Sequence, residues 1–367
     1  MFDDARTAAA AVRYVPILKA KEGEYKALTD LKAGTKAAIV PLLEVPSIPW
    51  DWASDAPAKG LDAHIAPVIA KITAAWGTAQ PAYLDADLVS DERTAAGKHP
   101  LEVLFADART AGLTLIPVAG TDRSADDLAA VAAVAAADGR GICLRLVPDD
   151  FLPGAPLAVE IATVLAATGV DAPDVDLIVD LGALPAGQAA TFTIAWTAVL
   201  PTLPRLADWR TVTLAGTAFP ISLSGMPAMT ITSIAREEWH VYQGIRAAGL
   251  PRVPDFGDYA IAHPDLLDVD PRLMQMSAAI RYAAPAEWLV VKGRGVRRNG
   301  WNQTQDLSRL LIARPESQPA THCAGCDFIR RRAAGSPTPG NGTTWRYVGT
   351  VHHLTTVVEQ LTSLTGP

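Results

Sequence analysis

Eight short runs of β-branched and aliphatic residues, at 14–19, 38–45, 82–88, 114–118, 141–147, 176–182, 210–217 and 253–259, punctuate the 367-residue chain. Between them lie Ala- and Leu-rich stretches of helical spacing, at 25–32, 63–75, 101–111, 124–137, 157–168, 189–200 and 234–248. A strand buried on both faces reads as a continuous apolar run, because neither side of its pleat meets water. Such strands separated by helices pair in parallel, since the crossover that a parallel pair needs supplies the helix that covers it. Eight units favour closure, so the expected fold is α/β, a (β/α)8 TIM-like barrel. The rival is an open doubly wound sheet, but no strand-to-helix GxGxxG or GxxxxGK[ST] loop marks its nucleotide-binding form. Ser124 ahead of Asp126 and Asp127 reads as a helix N-cap, and Gly139 and Gly169 as helix ends.

After the eighth run the pattern changes. Residues 279–282 and 288–292 read as a hairpin, 293–302 as a Gly/Arg-rich loop, 335–344 as a second loop and 350–364 as a closing helix. The expected organisation is a barrel body over 1–260, an insertion over 261–349 between strand eight and the final helix, and a closing helix over 350–367. An insertion of about 90 residues far exceeds an ordinary connection and marks a place where function resides.

At 49% hydrophobic and 19% charged residues, the chain can bury a large core. Its net charge of −7 is unevenly spread. Residues 281–346 hold 11 Lys/Arg against 4 Asp/Glu, which is +7, and leave −7 − 7 = −14 for the remainder. A basic module on an acidic body suits either a polyanion or the body itself. The acidic N-terminus has no export pattern, no run of apolar residues spans a membrane, and three cysteines make no disulfide framework, so the cytoplasm is the expected compartment.

Side chains at the C-terminal ends of barrel strands line one mouth, where catalytic groups converge. The candidates there are Lys19, Glu44, Asp85, Asp87, Arg145 and Asp180. Asp85 and Asp87, two apart on a strand, would face the same way and suit a divalent ion or a general acid/base pair. The alternative is internal pairing, Lys19 with Glu44 and Arg145 with Asp180, which closes the mouth without chemistry. A second constellation is His322-Cys323-Ala324-Gly325-Cys326 with the later His352-His353, of which Cys323, Cys326 and His352 have the donors of a zinc site, since two adjacent histidines point different ways; buried free thiols with a capping histidine are the alternative. Because the eight strands precede this set, the barrel is expected to fold without the metal. The third is Lys292, Arg294, Arg297 and Arg298 with Trp301, where glycines, arginines and an indole suit a phosphate-bearing ligand; a solvated loop paired with the acidic body is the alternative. Arg330 to Arg332 read as an exposed helix face, and the charges of Arg236, Glu237 and Glu238 as local helical pairs.

The string Tyr14-Val15-Pro16-Ile17-Leu18-Lys19-Ala20-Lys21-Glu22-Gly23-Glu24, with Leu28 and Leu31, then Ile39-Val40-Pro41-Leu42-Leu43-Glu44, resembles the opening of the phage and prophage beta-protein family. Residues 288–293, 323–329 and 345–354 are similar to that family's C-terminal half. The resemblance implies a barrel-like fold and a mobile-element setting, with a regulatory, immunity or defence accessory role that acts by binding a protein partner, an acidic or phosphorylated ligand, or nucleic acid at the barrel mouth. The competing expectation is a metal-dependent enzyme that acts on a phosphorylated or nucleotide substrate through the strand-end carboxylates.

Overall fold

A computed structural model of the protein describes residues 13–265 and 276–364. The strands in chain order are β1 (Tyr14–Lys19), β2 (Leu42–Glu44), a short surface hairpin of β3 (Trp50–Asp51) and β4 (Ala56–Pro57), β5 (Ala82–Asp85), β6 (Leu115–Gly120), β7 (Ile142–Leu146), β8 (Val175–Ala183), β9 (Thr211–Thr217), β10 (Thr230–Ala235), β11 (Asp255–Asp258), β12 (Ser277–Ala283) and β13 (Glu287–Gly295). Eight of them close a parallel barrel in the order β1-β11-β9-β8-β7-β6-β5-β2, so consecutive barrel strands are spatial neighbours. All eight expected runs supply a barrel strand.

Two apolar layers result. Inward residues such as Val15, Ile17, Leu42, Tyr83, Val118, Cys143 and Ile178 fill the barrel, so it is a packed core and not a channel. The opposite faces of the strands meet the surrounding helices in a larger continuous core. No described helix is long and apolar enough to cross a membrane.

The chain departs from the expected elements in three places. Residues 230–235, Thr-Ile-Thr-Ser-Ile-Ala, form β10, and the helix that follows begins at Glu237 instead of 234. β10 is half exposed and pairs antiparallel with β13, which pairs antiparallel with β12, so this three-stranded sheet takes one strand from the 1–260 region. The 293–302 segment is not a free loop, because β13 runs to Gly295 and Val296–Asn299 adds one helical turn. The closing helix is longer than expected, Gly342–Leu364.

One charge reading is extended and another changes. Arg236 is fully buried, bonded to Glu238 Oε1 at 3.3 Å and Gln360 Oε1 at 2.7 Å; Glu238 Oε2 accepts from the Ala218 amide, and Glu237 caps the Gly187 and Ala189 amides. Arg236 thus pairs locally with Glu238 as expected, and the set in addition joins separate elements through Gln360, Ala218, Gly187 and Ala189. Arg332 is also buried and donates to Thr304 Oγ1 and the Asn302 carbonyl, whereas Arg331 stays exposed.

The closing helix is stapled to the barrel by a buried polar chain. His353 Nε2 lies 2.6 Å from Asp258 Oδ2, the Tyr14 hydroxyl donates to Asp258 Oδ1 at 2.6 Å, and Trp288 stacks on the His353 ring at 4.7 Å. These contacts join β1, β11, β13 and the helix at one point.

Candidate functional site

The mouth residues form one buried ion network. Lys19 Nζ meets Glu44 Oε2 at 2.6 Å. Arg145 holds three carboxylates: Glu44 at 3.0 Å, Asp85 at 3.3 Å and Asp180 at 2.8 and 2.9 Å. The Tyr259 hydroxyl accepts from Arg145 and donates to Asp180. Burial, reinforced by the Asp180 charge, raises the Tyr259 pKa well above its ordinary value, so the phenol remains a neutral donor. β5 ends at Asp85, and Asp87 opens a short 3-10 turn, so the two carboxylates do not share a strand face. Asp87, its side chain 43% exposed, turns to Arg123, which also contacts Asp85 at 3.2 Å. Among the described residues, Asp85, Asp87 and Asp180 are not a group whose ligand atoms converge on one ion.

Beside this network opens a cleft of about 680 Å³ between the loop after β1, the loop after β2 and the start of the closing helix. Lys21, Lys59, Lys71, Arg346, Glu22 and Glu24 bring its charges, and Pro46, Pro49, Pro67 and Val68 part of its apolar wall. Four cations against two carboxylates make +4 − 2 = +2 on a chain whose net charge is −7. Glu22 pairs with Lys71, and buried Glu24 lies 3.6 Å from Arg346. Partial desolvation, together with the Arg346 and Lys19 charges, lowers the Lys21 pKa, so its ammonium sits where an anion would be welcome.

Three helices begin at this cleft: Glu22–Thr29, Val68–Trp76 and Gly342–Leu364. The first two have no side-chain cap on their leading amides, which adds their positive dipole ends to the cationic wall. Gly23 permits the close approach of the first and last of these helices. A Cβ there would lie 2.5 Å from Arg346 Cγ and 3.2 Å from the Thr343 carbonyl.

The second constellation is a buried donor set. His322, Cys323, Cys326 and His352 place ligand atoms within 4.8 Å of one another, a group able to hold a metal ion. The two sulfurs are 3.5 Å apart, and His352 Nδ1 is 3.3 Å from Cys326 Sγ and 4.0 Å from Cys323 Sγ. His352 Nε2 faces the Ala283 carbonyl at 2.8 Å, which turns Nδ1 toward the thiols. Its neighbour His353 points away to Asp258, as adjacent helical residues must. Cys323 caps the helix Ala324–Ala333 by accepting from the Cys326 amide. The Cys326 thiol and His352 beside it hold Cys323 far below the ordinary thiol value, at about 4, whereas hydrogen bonding to Cys323 and burial push Cys326 up. The glycine inside Cys-Ala-Gly-Cys is required by packing, because a Cβ on Gly325 would sit 2.4 Å from the Val348 carbonyl. His322, which opens the run that holds both cysteines, joins Cys323, Cys326 and His352 as a fourth donor.

Among the described residues the third set is spread over separate contacts. Lys292 Nζ donates to the Met226 carbonyl at 2.8 Å, Arg294 is held through its backbone by Gln303, and Arg297 and Arg298 lie exposed on the single turn after β13. None of the four lines the cleft described above. Trp301 does reach its border, since a Cβ on the lining residue Gly342 would lie 3.9 Å from Trp301 Cη2. The cleft cations Lys59, Lys71 and Arg346 escaped the sequence reading because they come from three distant segments with no shared pattern.

Fold and sites together define a closed TIM-type barrel whose last crossover carries a cysteine–histidine module. The chain belongs to the Beta protein family, whose model matches residues 14–359. No curated protein matches it. Among solved structures it is similar to triosephosphate isomerase from Bartonella henselae, with 10% identity, a TM-score of 0.36, and coverage of 67% of this chain and 92% of that one. It is also similar to a 3-hexulose-6-phosphate synthase, with 13% identity, a TM-score of 0.33, and coverage of 67% and 88%. A mandelate racemase/muconate lactonizing protein from Herpetosiphon aurantiacus gives 12% identity, a TM-score of 0.35, and coverage of 77% and 63%.

Proposed function

We propose that this Beta-family protein is a phage-associated accessory protein that works by binding, and that an acidic ligand enters the cleft beside the barrel mouth. The observation that carries this reading is the cleft itself, a +2 wall and three helix starts on an otherwise acidic chain. The mouth carboxylates are already matched to Lys19, Arg123 and Arg145, and this favours binding over metal-assisted chemistry at that place.

Zinc is the metal that best suits the cysteine–histidine set. Zinc–sulfur bonds of about 2.3 Å and zinc–nitrogen bonds of about 2.0–2.1 Å at tetrahedral angles imply S···S edges of about 3.8 Å and S···N edges of about 3.5 Å. The edges here are 3.5 Å for S···S and 3.3 and 4.0 Å for S···N. Two thiolates and imidazoles are soft to borderline donors, which select zinc over magnesium or calcium. A filled four-ligand site is structural, and in this position it would hold the helix that bears Arg346 and forms one wall of the cleft.

The test of the cleft is calorimetric. Inorganic pyrophosphate titrated into the full chain should bind, and Lys21→Glu with Lys59→Glu should weaken it by about tenfold, or about 1.4 kcal/mol, with the thermal midpoint unchanged. Added salt should weaken the wild type more than the variant, because screening acts on the same charges. Equal affinities in the two proteins would remove the cleft from consideration.

A further inference from the structure

We propose that a recess over the barrel mouth, next to the cleft, is a second binding site that takes a single phosphate group on the Arg281 guanidinium and the Lys21 ammonium. The proposal does not rest on the reading of the cleft. The two cavities share Lys21, Glu24 and Arg346, but Arg281 lines only the recess, and Lys59 and Lys71 line only the cleft.

The recess lies above the ends of three barrel strands. Lys19 closes β1, Phe219 to Ile221 follow β9, and Ala262 and His263 follow β11; Arg281 on β12 and Arg346 on the closing helix complete it. Gly349, three residues after Arg346, lets that helix close onto β12, since a Cβ there would lie 2.9 Å from the Arg281 carbonyl and 2.7 Å from Ile261 Cδ1. Two guanidiniums consequently turn to one oxygen. The Ile261 carbonyl accepts from Arg281 Nη1 at 3.0 Å and from Arg346 Nη1 at 3.4 Å.

Arg281 is set there without a counter-ion. Its Cζ lies 5.0 Å from the ring centre of buried Phe219, and Ile261 supplies its carbonyl acceptor. Among the described residues no carboxylate lies within ion-pair distance of it, and its remaining N–H groups have no acceptor. Burial and the Arg346 charge lower its pKa to about 9, with Glu24 offsetting part of the effect, so it stays charged at neutral pH. A guanidinium placed in this way has given up hydration that an anion can replace. Lys21 also has no ion-pair partner among the described residues, whereas Lys19 is held by Glu44 at 2.6 Å, Arg346 faces Glu24 at 3.6 Å, and Asp265 is turned to His263 at 3.6 Å. The two unmatched cations suit a phosphate group, which carries about −1.5 to −2 near neutral pH, and the guanidinium fork suits two of its oxygens. The volume of about 140 Å³ fits one such group and falls below the about 300–1,000 Å³ of sites for drug-sized ligands.

The experiment titrates the full chain calorimetrically with inorganic phosphate at constant ionic strength, and separately with glycerol 3-phosphate and acetate. Phosphate is expected to bind the recess. Arg281→Met should weaken it by about 10- to 150-fold, the range of one hydrogen bond to a charged group, and Arg281→Lys by less. Ile221 lines the recess and is 44% exposed, so Ile221→Glu should fold normally and still weaken phosphate at least tenfold by setting a carboxylate beside it. Lys59→Glu should leave the affinity within twofold. A tighter fit for glycerol 3-phosphate than for inorganic phosphate, lost in Ile221→Glu, would support the site and identify a phosphomonoester; the reverse order would support it with free phosphate. If phosphate does not bind, or acetate binds as tightly, the phosphate assignment is overturned. Binding that survives both Arg281→Met and Ile221→Glu but is lost in Lys59→Glu also overturns it, and leaves the cleft standing.

Discussion

Replacing Cys323 and Cys326 together by serine is expected to release one equivalent of zinc and to expose the segment from 313 to 341 to protease. Two thiolates dominate the affinity of such a site, and two imidazoles alone leave too few soft donors to order the segment. Structural zinc contributes apparent free energies of about 10–16 kcal/mol in small zinc-binding peptides; here the residues are already packed by Tyr282, whose ring stacks on His352 at 3.7 Å, so the loss should be smaller. The damage should nevertheless reach the barrel. From the sequence the barrel is expected to stand without the metal, because its strands precede the site. In the structure, however, His352 of the metal set and His353 of the Asp258 staple are consecutive on the closing helix, which also packs on Glu22–Thr29 and β12. A lowered midpoint for the whole chain is therefore expected, read by thermal unfolding alongside metal analysis. Wild-type protein prepared without chelator, free of metal yet resistant to protease in this segment, would falsify the zinc reading.

The parts of this molecule that were legible beforehand are those whose signal is local. The eight barrel strands are buried on both faces and so spell continuous apolar runs, and Cys323 and Cys326 sit three residues apart, the spacing at which one helix start grips an ion. β10 was hidden because it is a half-exposed edge strand whose partner, β13, begins about fifty residues later; its Ile-Ala end merges with the helix that follows. Arg236 and Glu238 read in the sequence only as local helical pairs because nothing in a one-dimensional pattern reveals that Gln360 and Ala218 will meet them in the interior. The cleft is the clearest case. Lys59 and Lys71 carry no motif, Lys21 and Arg346 lie in two distant segments, and only closure of the barrel, with Gly23 letting the first and last helices touch, brings the four to one wall. The basic run at 292–298 is the more conspicuous feature in the sequence, yet conspicuous charge runs are commonly exposed faces, as Arg298 is.

Arg145→Met should be the most destabilising single substitution at the barrel mouth, by about 3–5 kcal/mol, the cost of leaving buried charges without their counter-ion. Arg145 is 8% exposed and is the cation shared by Glu44, Asp85 and Asp180. Lys19, Arg123 and Arg145 stand against the buried carboxylates of Glu44, Asp85 and Asp180, so the interior network totals 3 − 3 = 0 and the substitution takes it to −1, while the half-exposed Asp87 and Asp122 add their charge at its edge beside Arg123. Asp180 loses most, since two of its bonds come from that guanidinium and its remaining side-chain donor is the Tyr259 hydroxyl. If uncompensated charge is the cause, removing the partner as well should recover stability, so Arg145→Met with Asp180→Leu should be less damaging than the sum of the two single changes. Urea unfolding of the four proteins measures that coupling directly. Additive effects, or an Arg145→Met protein as stable as the wild type, would mean that the carboxylates do not depend on their arginine. The mouth would then regain its standing as a place for chemistry, where acidic groups are kept apart from cations so that a substrate or an ion can take the position Arg145 now occupies.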